Sequence, residues 1–157
     1  MHEGPFTVFV EEAHEDSADL LFMPQATAAD WATVFAHAEV RRVGAGLALL
    51  QAGEDDRALY LLTEGTVGVR LPRDEGAFKT IDAPSVLGEL AFFAGRPRSA
   101  TLDAVTDVEV VRLDVTSFDR LAEDAPDLAM AMIVDLARIL ALRLRLASAV
   151  IAELRGG

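Results

Sequence analysis

The sequence predicts a mainly β fold with flanking helices, a sandwich or barrel, on three observations. Between Glu39 and Asp114 the chain runs in short segments rich in Val, Leu and Thr, broken by glycine-containing and acidic turns, the pattern of an antiparallel sandwich or barrel. Just before it, Thr27 and the residues to Ala38 carry a helix start signal and helical apolar spacing. After it, residues 127–154 keep a helical apolar period to almost the end of the chain.

The first 21 residues are acidic and irregular, with Glu11, Glu12, Glu15, Asp16 and Asp19. They read as a solvated lead-in to a domain over 22–157, with a short strand at Phe6 to Val10 and a short helix capped by Ser17 and reaching Leu21 as local structure. Thr27 is then placed as an N-cap with Asp30 as its partner three residues on, a weaker version of the usual box. The helix it starts, Ala28 to Ala38, carries Trp31 and Phe35 on one face, with Trp31 as a core anchor.

The barrel is expected over about 39–114. Its strands are Glu39–Val43, Leu47–Gln51, Leu59–Thr63, Val67–Leu71, Ala77–Ile81, Thr101–Ala104 and Glu109–Asp114. Gly44 and Gly46, Gly53-Glu54-Asp55-Asp56, Glu64-Gly65 and Pro72-Arg73-Asp74-Glu75-Gly76 supply the turns. The consecutive acids Glu54, Asp55 and Asp56 read as a solvated hairpin tip rather than a metal site.

Helices follow over about 116–154. Thr116 or Ser117 is expected to cap a short helix, Phe118 to Glu123. Asp124-Ala125-Pro126-Asp127 breaks it, and Pro126 suits the lead-in to the next helix, where its missing N–H costs little. That last helix, Asp127 to Leu154, would be about 40 Å long at 1.5 Å per residue. It has two apolar stripes. Met130, Ile133, Ala137, Leu140, Leu144, Ala147, Ile151 and Leu154 alternate spacings of three and four, a seam suited to pairing with another helix. Met132, Leu136, Ile139, Leu146 and Val150 form the other, with Arg143 among them. Two apolar faces imply two partners: the barrel for one, and a second copy of the chain, in a homodimer, for the other. A single wide stripe docked on the barrel of a monomer is the competing arrangement.

Composition sets bounds. The chain has 157 residues, 52% of them hydrophobic, enough for one domain with a sizeable core. A net charge of −12 opposes a nucleic-acid surface, whose affinity rests on basic residues. With no Cys there is no disulfide framework, thiolate nucleophile or thiolate zinc site, which suits a reducing cytoplasm, the expected location. The N-terminus lacks the basic-then-apolar pattern of a signal peptide. Asp135, Arg138, Arg143 and Arg145 break the most apolar stretch, so no membrane span is expected.

One stretch carries binding chemistry: Gly88-Glu89-Leu90-Ala91-Phe92-Phe93-Ala94-Gly95-Arg96-Pro97-Arg98-Ser99-Ala100-Thr101-Leu102. Gly88 allows close approach of backbone to a ligand. Glu89 opens a short apolar segment able to make one helical turn, whose free N–H groups favour an anion. Gly95 ends that turn and Pro97 fixes the approach to Arg98. Arg98 offers a planar fork of donors matched to phosphate oxygens, and Ser99 and Ala100 add a hydroxyl and a backbone N–H. A carboxylate at 89 repels phosphate but accepts from a sugar hydroxyl. A clamp with both groups fits a nucleotide, and it holds no catalytic base, so no enzymatic activity is expected.

Gly88-Glu89-Leu90-Ala91 followed by Pro97-Arg98-Ser99-Ala100-Thr101 closely resembles the phosphate-binding cassette of cyclic-nucleotide-binding domains of the catabolite activator, protein kinase A regulatory subunit and bacterial cyclic-nucleotide-gated channel type. The resemblance covers roughly residues 22–154, and Gly46, Gly53 and Gly65 sit where the family's barrel turns have glycines. It implies a double-stranded β-helix, or jelly-roll, with an N-terminal helix and a long C-terminal helix that moves on ligand binding. It implies a cyclic-nucleotide sensor module, with Arg98 on the cyclic phosphate and Glu89 on the ribose 2′-hydroxyl. Backbone N–H groups of Gly88, Glu89 and Ala100 would complete the cradle, and Leu90 would move inward as it closes.

In the family a residue near Arg143 caps the purine. Arg143 could stack on the base or snorkel to the surface, and Leu140 or Leu144 could instead supply an apolar lid. Ser99 resembles the residue of bacterial cyclic-AMP binders, which favours cyclic AMP over cyclic GMP, although a hydroxyl there also suits guanine. The sequence runs to Gly157 without the helix-turn-helix that follows in catabolite-activator regulators, so neither that segment nor DNA binding is expected, and the effector is unknown. Two rivals stand beside this reading. A jelly-roll metal enzyme is disfavoured, because His2, His14 and His37 all precede the barrel strands or lie at their edge. A degenerate domain that binds only protein is opposed by the intact Glu89 and Arg98.

Overall fold

A computed structural model describes residues 20–70 and 79–156. The strand expected at Phe6–Val10, most of the helix expected from Ser17 and the turn Pro72–Gly76 lie outside the described residues. Helix α1 (Ala28–His37) leads into strands β1 (Glu39–Val43), β2 (Ala48–Leu50), β3 (Ala58–Glu64), β4 (Thr66–Arg70), β5 (Lys79–Asp82) and β6 (Ser85–Leu87). Helix α2 (Glu89–Ala94), strands β7 (Thr101–Ala104) and β8 (Val108–Asp114), and helices α3 (Val115–Asp124) and α4 (Pro126–Gly156) complete the order.

The strands make two four-stranded sheets, in the orders β1-β8-β3-β6 and β2-β7-β4-β5. Every pairing is antiparallel. This is the jelly-roll sandwich expected from the resemblance. Strand β6, absent from the sequence reading, pairs with β3 through Tyr60 opposite Leu87 and Leu62 opposite Ser85.

Strand β3 explains how the layers stack. Ala58 to Leu62 are all buried, because this strand is covered on both faces. Tyr60 and Leu62 point into the sandwich with Leu50, Val67, Val69, Leu87, Leu102 and Val110. Leu59 and Leu61 point the other way, onto Val86, Phe92 and Val111 and onto Leu136 and Ile139 of α4. A third cluster joins the helices, with Val34 of α1, Leu113, Leu121 of α3, and Ala129 and Met132 of α4.

The helix boundaries follow from their caps. Thr27 and Asp30 form a reciprocal capping box at the start of α1, and Trp31 stacks on Phe35 at 5.8 Å. The cap expected for α3 is corrected. Asp114, not Thr116 or Ser117, caps it by accepting from the Ser117 N–H at 2.7 Å, so β8 runs directly into a helix starting at Val115.

Helix α4 sorts its two stripes as the spacing predicts. Met132, Leu136 and Ile139 are fully buried, and Leu146 is half-buried. The side chain of Val150 lies outside the described residues. Most of the heptad seam faces away from the barrel: Met130, Leu144, Ile151 and Leu154 are exposed and Leu140 is half-buried, but Ile133 packs against the Leu59 and Leu61 cluster and Ala147 is buried. No helix among the described residues is long and apolar enough to cross a membrane.

Candidate ligand-binding site

The site sits where β6 ends and β7 begins. Gly88 takes φ +77°, a conformation that favours glycine, and turns the chain from β6 into α2. Gly95, at φ +65°, ends α2 by donating to the Ala91 carbonyl. The segment then returns along the 53–56 turn, with Gly53 N–H donating to Arg98 O and Arg98 N–H donating to Glu54 O, both at 2.8 Å. These paired bonds fix the backbone at Arg98 and aim its side chain back under Gly88.

This path leaves a cavity of about 300 Å³. Six of the seven sequence-selected residues line it: Gly88, Glu89, Leu90, Arg98, Ser99 and Ala100. Leu50, Ala91, Pro97 and Leu102 contribute much of its apolar wall, and Arg96 also borders it.

Arg98 is 7% exposed. Its guanidinium donates to Ala58 O at 2.8 Å, to Gly88 O at 3.2 Å and to Asp56 Oδ2 at 3.4 Å, and lies 5.4 Å from the centre of the Tyr60 ring. Its Nε is buried without a hydrogen-bond partner. Glu89 is 1% exposed, with Oε2 likewise buried and unpartnered. Its Oε1 accepts from Arg143. Two unsatisfied buried atoms, one donor and one acceptor, therefore belong to the two side chains the sequence singles out for phosphate and sugar. Such groups are costly to leave unmatched in a folded protein.

Arg143 does not snorkel, which corrects one of its two expected states. It is 8% exposed and reaches inward from α4 to Glu89 and to Val86 O at 3.2 Å. It stands behind Glu89 rather than among the residues bordering the cavity.

Three further residues shape the site and were missed in the sequence. Asp56 belongs to the run expected as a solvated tip. Glu54 and Asp55 are exposed, but Asp56 turns in and accepts from Tyr60 Oη at 2.6 Å and Arg112 at 2.8 Å, besides Arg98. Burial alone would push the Asp56 carboxyl up, but donation from Tyr60 and Arg112 outweighs it and holds the group below the usual carboxylate range. Arg112 is desolvated, which disfavours its charge, yet its bonds to Asp56 and Tyr60 raise its pKa further. Arg57 donates to the carbonyls of Phe92 and Phe93 at 2.8 and 3.3 Å, satisfying the C-terminal end of α2. An Asp-Arg pair at 56–57 carries no motif, and only its partners in space reveal it.

Among the described residues no group of His, Cys, Asp and Glu could hold a metal ion.

The family model described as the cyclic nucleotide-binding domain matches residues 40–125, more than half of the chain. The chain belongs to that family. A cyclic nucleotide-gated potassium channel of Mesorhizobium japonicum is 33% identical over 93 residues, 57% of this chain and 24% of the channel. The cAMP-activated global transcriptional regulator CRP of Escherichia coli is 28% identical over 106 residues, 65% of this chain and 50% of the regulator. The chain thus spans a quarter to a half of these two relatives. Among solved structures, a cyclic nucleotide-binding domain from Methylobacillus flagellatus superposes with a TM-score of 0.74 at 20% identity, covering 98% of this chain and 88% of that one, which supports the fold.

Proposed function

We propose that this domain is a sensor that binds a cyclic mononucleotide, with cyclic AMP preferred, and that it has no catalytic role. The observation that carries the reading is the pair of unsatisfied buried atoms, Arg98 Nε and Glu89 Oε2, beside one cavity. A cyclic phosphate supplies an acceptor to the first and a ribose 2′-hydroxyl supplies a donor to the second. Its single negative charge is matched by one buried guanidinium. Backbone N–H groups of Gly88, Glu89 and Ala100 complete the cradle, and the exposed Ser99 sits where a hydroxyl can meet the base. The apolar wall takes the base face, with Leu90 and Leu102 as its larger members.

The pairing of Glu89 with Arg143 couples this site to α4. Ligand that binds one position of α4 better than another shifts the helix, by no more than the difference in affinity between them. The exposed seam of α4, from Met130 to Leu154, pairs two copies of the chain in a homodimer. Light scattering at tens of micromolar, with and without ligand, tests that part. A monomer in both conditions would reject it.

Calorimetry with cyclic AMP and cyclic GMP tests the ligand. Saturable binding of cyclic AMP is expected, and Arg98→Ala should cost roughly 2–5 kcal/mol of it, the scale for removing one member of a buried charge pair. Heat from neither nucleotide would instead leave a domain that keeps the fold and binds only protein.

A further inference from the structure

We infer that Arg96 is the capture residue of this site, a rim guanidinium that draws the anionic ligand in from solution before Arg98 holds it. This rests on the cyclic-nucleotide reading and extends it. Arg96 and Arg98 both line the cavity, but in opposite states. Arg98 is buried, and its terminal nitrogens are committed to Gly88 O, Ala58 O and Asp56. Arg96 is exposed and has no hydrogen bond or ion pair among the described residues. Pro97 between them fixes the backbone φ and so limits how they can trade places.

The surroundings make a rim charge matter. The chain carries a net charge of −12, which repels an anion from most directions. Glu54 and Asp55 stand exposed on the turn bonded to the Arg98 backbone. Arg57, whose Nε would lie 3.5 Å from a Cβ at Gly95, is already occupied by the Phe92 and Phe93 carbonyls. Among the described residues, that leaves Arg96 as the uncommitted cation bordering the cavity. An exposed rim charge acts mainly on the association rate and on its salt dependence, whereas a buried partner acts on dissociation. Arg96 and Arg98 therefore divide arrival from retention.

Stopped-flow binding of a fluorescent cyclic AMP analogue tests this, with parent, Arg96→Ala, Arg96→Lys and Arg96→Glu. Arg42→Ala serves as the charge-matched control, because Arg42, on β1, pairs with Glu109 of β8 and does not border the cavity. At low salt Arg96→Ala should slow association roughly three- to tenfold, Arg96→Glu more, and Arg96→Lys little, with dissociation changed by less than about twofold. The gap should narrow as the Debye length falls from about 30 Å at 0.01 M salt to about 8 Å at 0.15 M. Unchanged association in Arg96→Ala, an equal loss in Arg42→Ala, or an effect carried in dissociation would each overturn the inference while leaving the ligand reading intact. A parent that binds neither the analogue nor unlabelled cyclic nucleotide would overturn both.

Discussion

Arg143 of α4 is joined to Glu89 of α2, 54 residues earlier, in an ion pair with both side chains buried. It continues the stripe of Met132, Leu136 and Ile139 that docks α4 on the sandwich. The long helix is therefore held at the candidate site by charge, beside the apolar packing of the rest of that stripe. The side chain that borders the cavity and keeps Oε2 without a partner gives Oε1 to the helix, so the candidate site and α4 share one group.

Breaking that pair from one side should be severe. Arg143→Met leaves the Glu89 carboxylate buried without its cation, and a loss of roughly 3–5 kcal/mol is expected in denaturant unfolding. The double variant Glu89→Gln with Arg143→Met should recover much of it, because no charge is then left stranded. Arg143→Lys should recover less, since a point charge cannot serve Glu89 and Val86 O as a planar fork does. A single variant as stable as the parent would show that the pair does not hold α4.

Asp56 gives a second test, through its three donors Tyr60, Arg112 and Arg98. Asp56→Asn should destabilise by roughly 1.5–3 kcal/mol at neutral pH, the range for hydrogen bonds to a charged group. The folded pKa is depressed, so the carboxylate's contribution is present above its unfolded value of about 3.9 and is lost as pH falls through the folded one. The gap between parent and variant, followed by chemical denaturation from neutral pH downward, should thus close in acid. A gap independent of pH would mean that shape, not charge, makes Asp56 matter.

The fold and the cassette were legible for different reasons. Gly88, Glu89, Arg98 and Ala100 form a local signature, and one stretch of chain brings them together. The strands carried enough Val and Leu to be placed within a residue or two. Strand β6 was not readable: Ser85–Leu87 is only three residues, follows Pro84 directly, and has no period to detect. The other losses were of position in space. Asp56 looks like its exposed neighbours Glu54 and Asp55, and Arg143 looks like a charge on an otherwise apolar face. Nothing in either local sequence says that Tyr60, Arg112 or Glu89 lies opposite.

His37 offers a pH-dependent contact away from the candidate site. Its Nδ1 lies 2.8 Å from Thr33 O and its Nε2 2.7 Å from Asp124 Oδ2. Both partners are acceptors, so both bonds form only when the ring is an imidazolium. The Thr33 carbonyl and then Asp124 raise the His37 pKa. A raised folded pKa gives stability that is complete below the unfolded value of about 6.5 and is lost as pH rises through the folded one. His37→Gln should therefore be less stable than the parent at about pH 5.5 and equal to it at about pH 9, by at most about 1 kcal/mol because Asp124 is 68% exposed. Equal stability at both pH values would show that the contact contributes nothing to holding α1 against α3.

Two glycines with positive φ should respond differently to Ala. At Gly65, φ +91°, an added Cβ would lie 2.4 Å from the Asp107 carbonyl oxygen, which is backbone and has little room to move. Gly65→Ala should cost roughly 2–4 kcal/mol of stability while any folded fraction keeps its ligand affinity. At Gly88, φ +77°, the added Cβ would lie 2.3 Å from Arg98 Nη1 and 3.1 Å from Ala58 O. The guanidinium is the movable partner, so it must leave its place under Gly88. Gly88→Ala should then lose ligand affinity at least tenfold, about 1.4 kcal/mol, with a smaller stability loss of about 1–2 kcal/mol from the strained backbone. Melting and calorimetry on both variants separate the two effects. If Gly88→Ala bound cyclic nucleotide as tightly as the parent, the seat of Arg98 beneath Gly88 would not be the phosphate site.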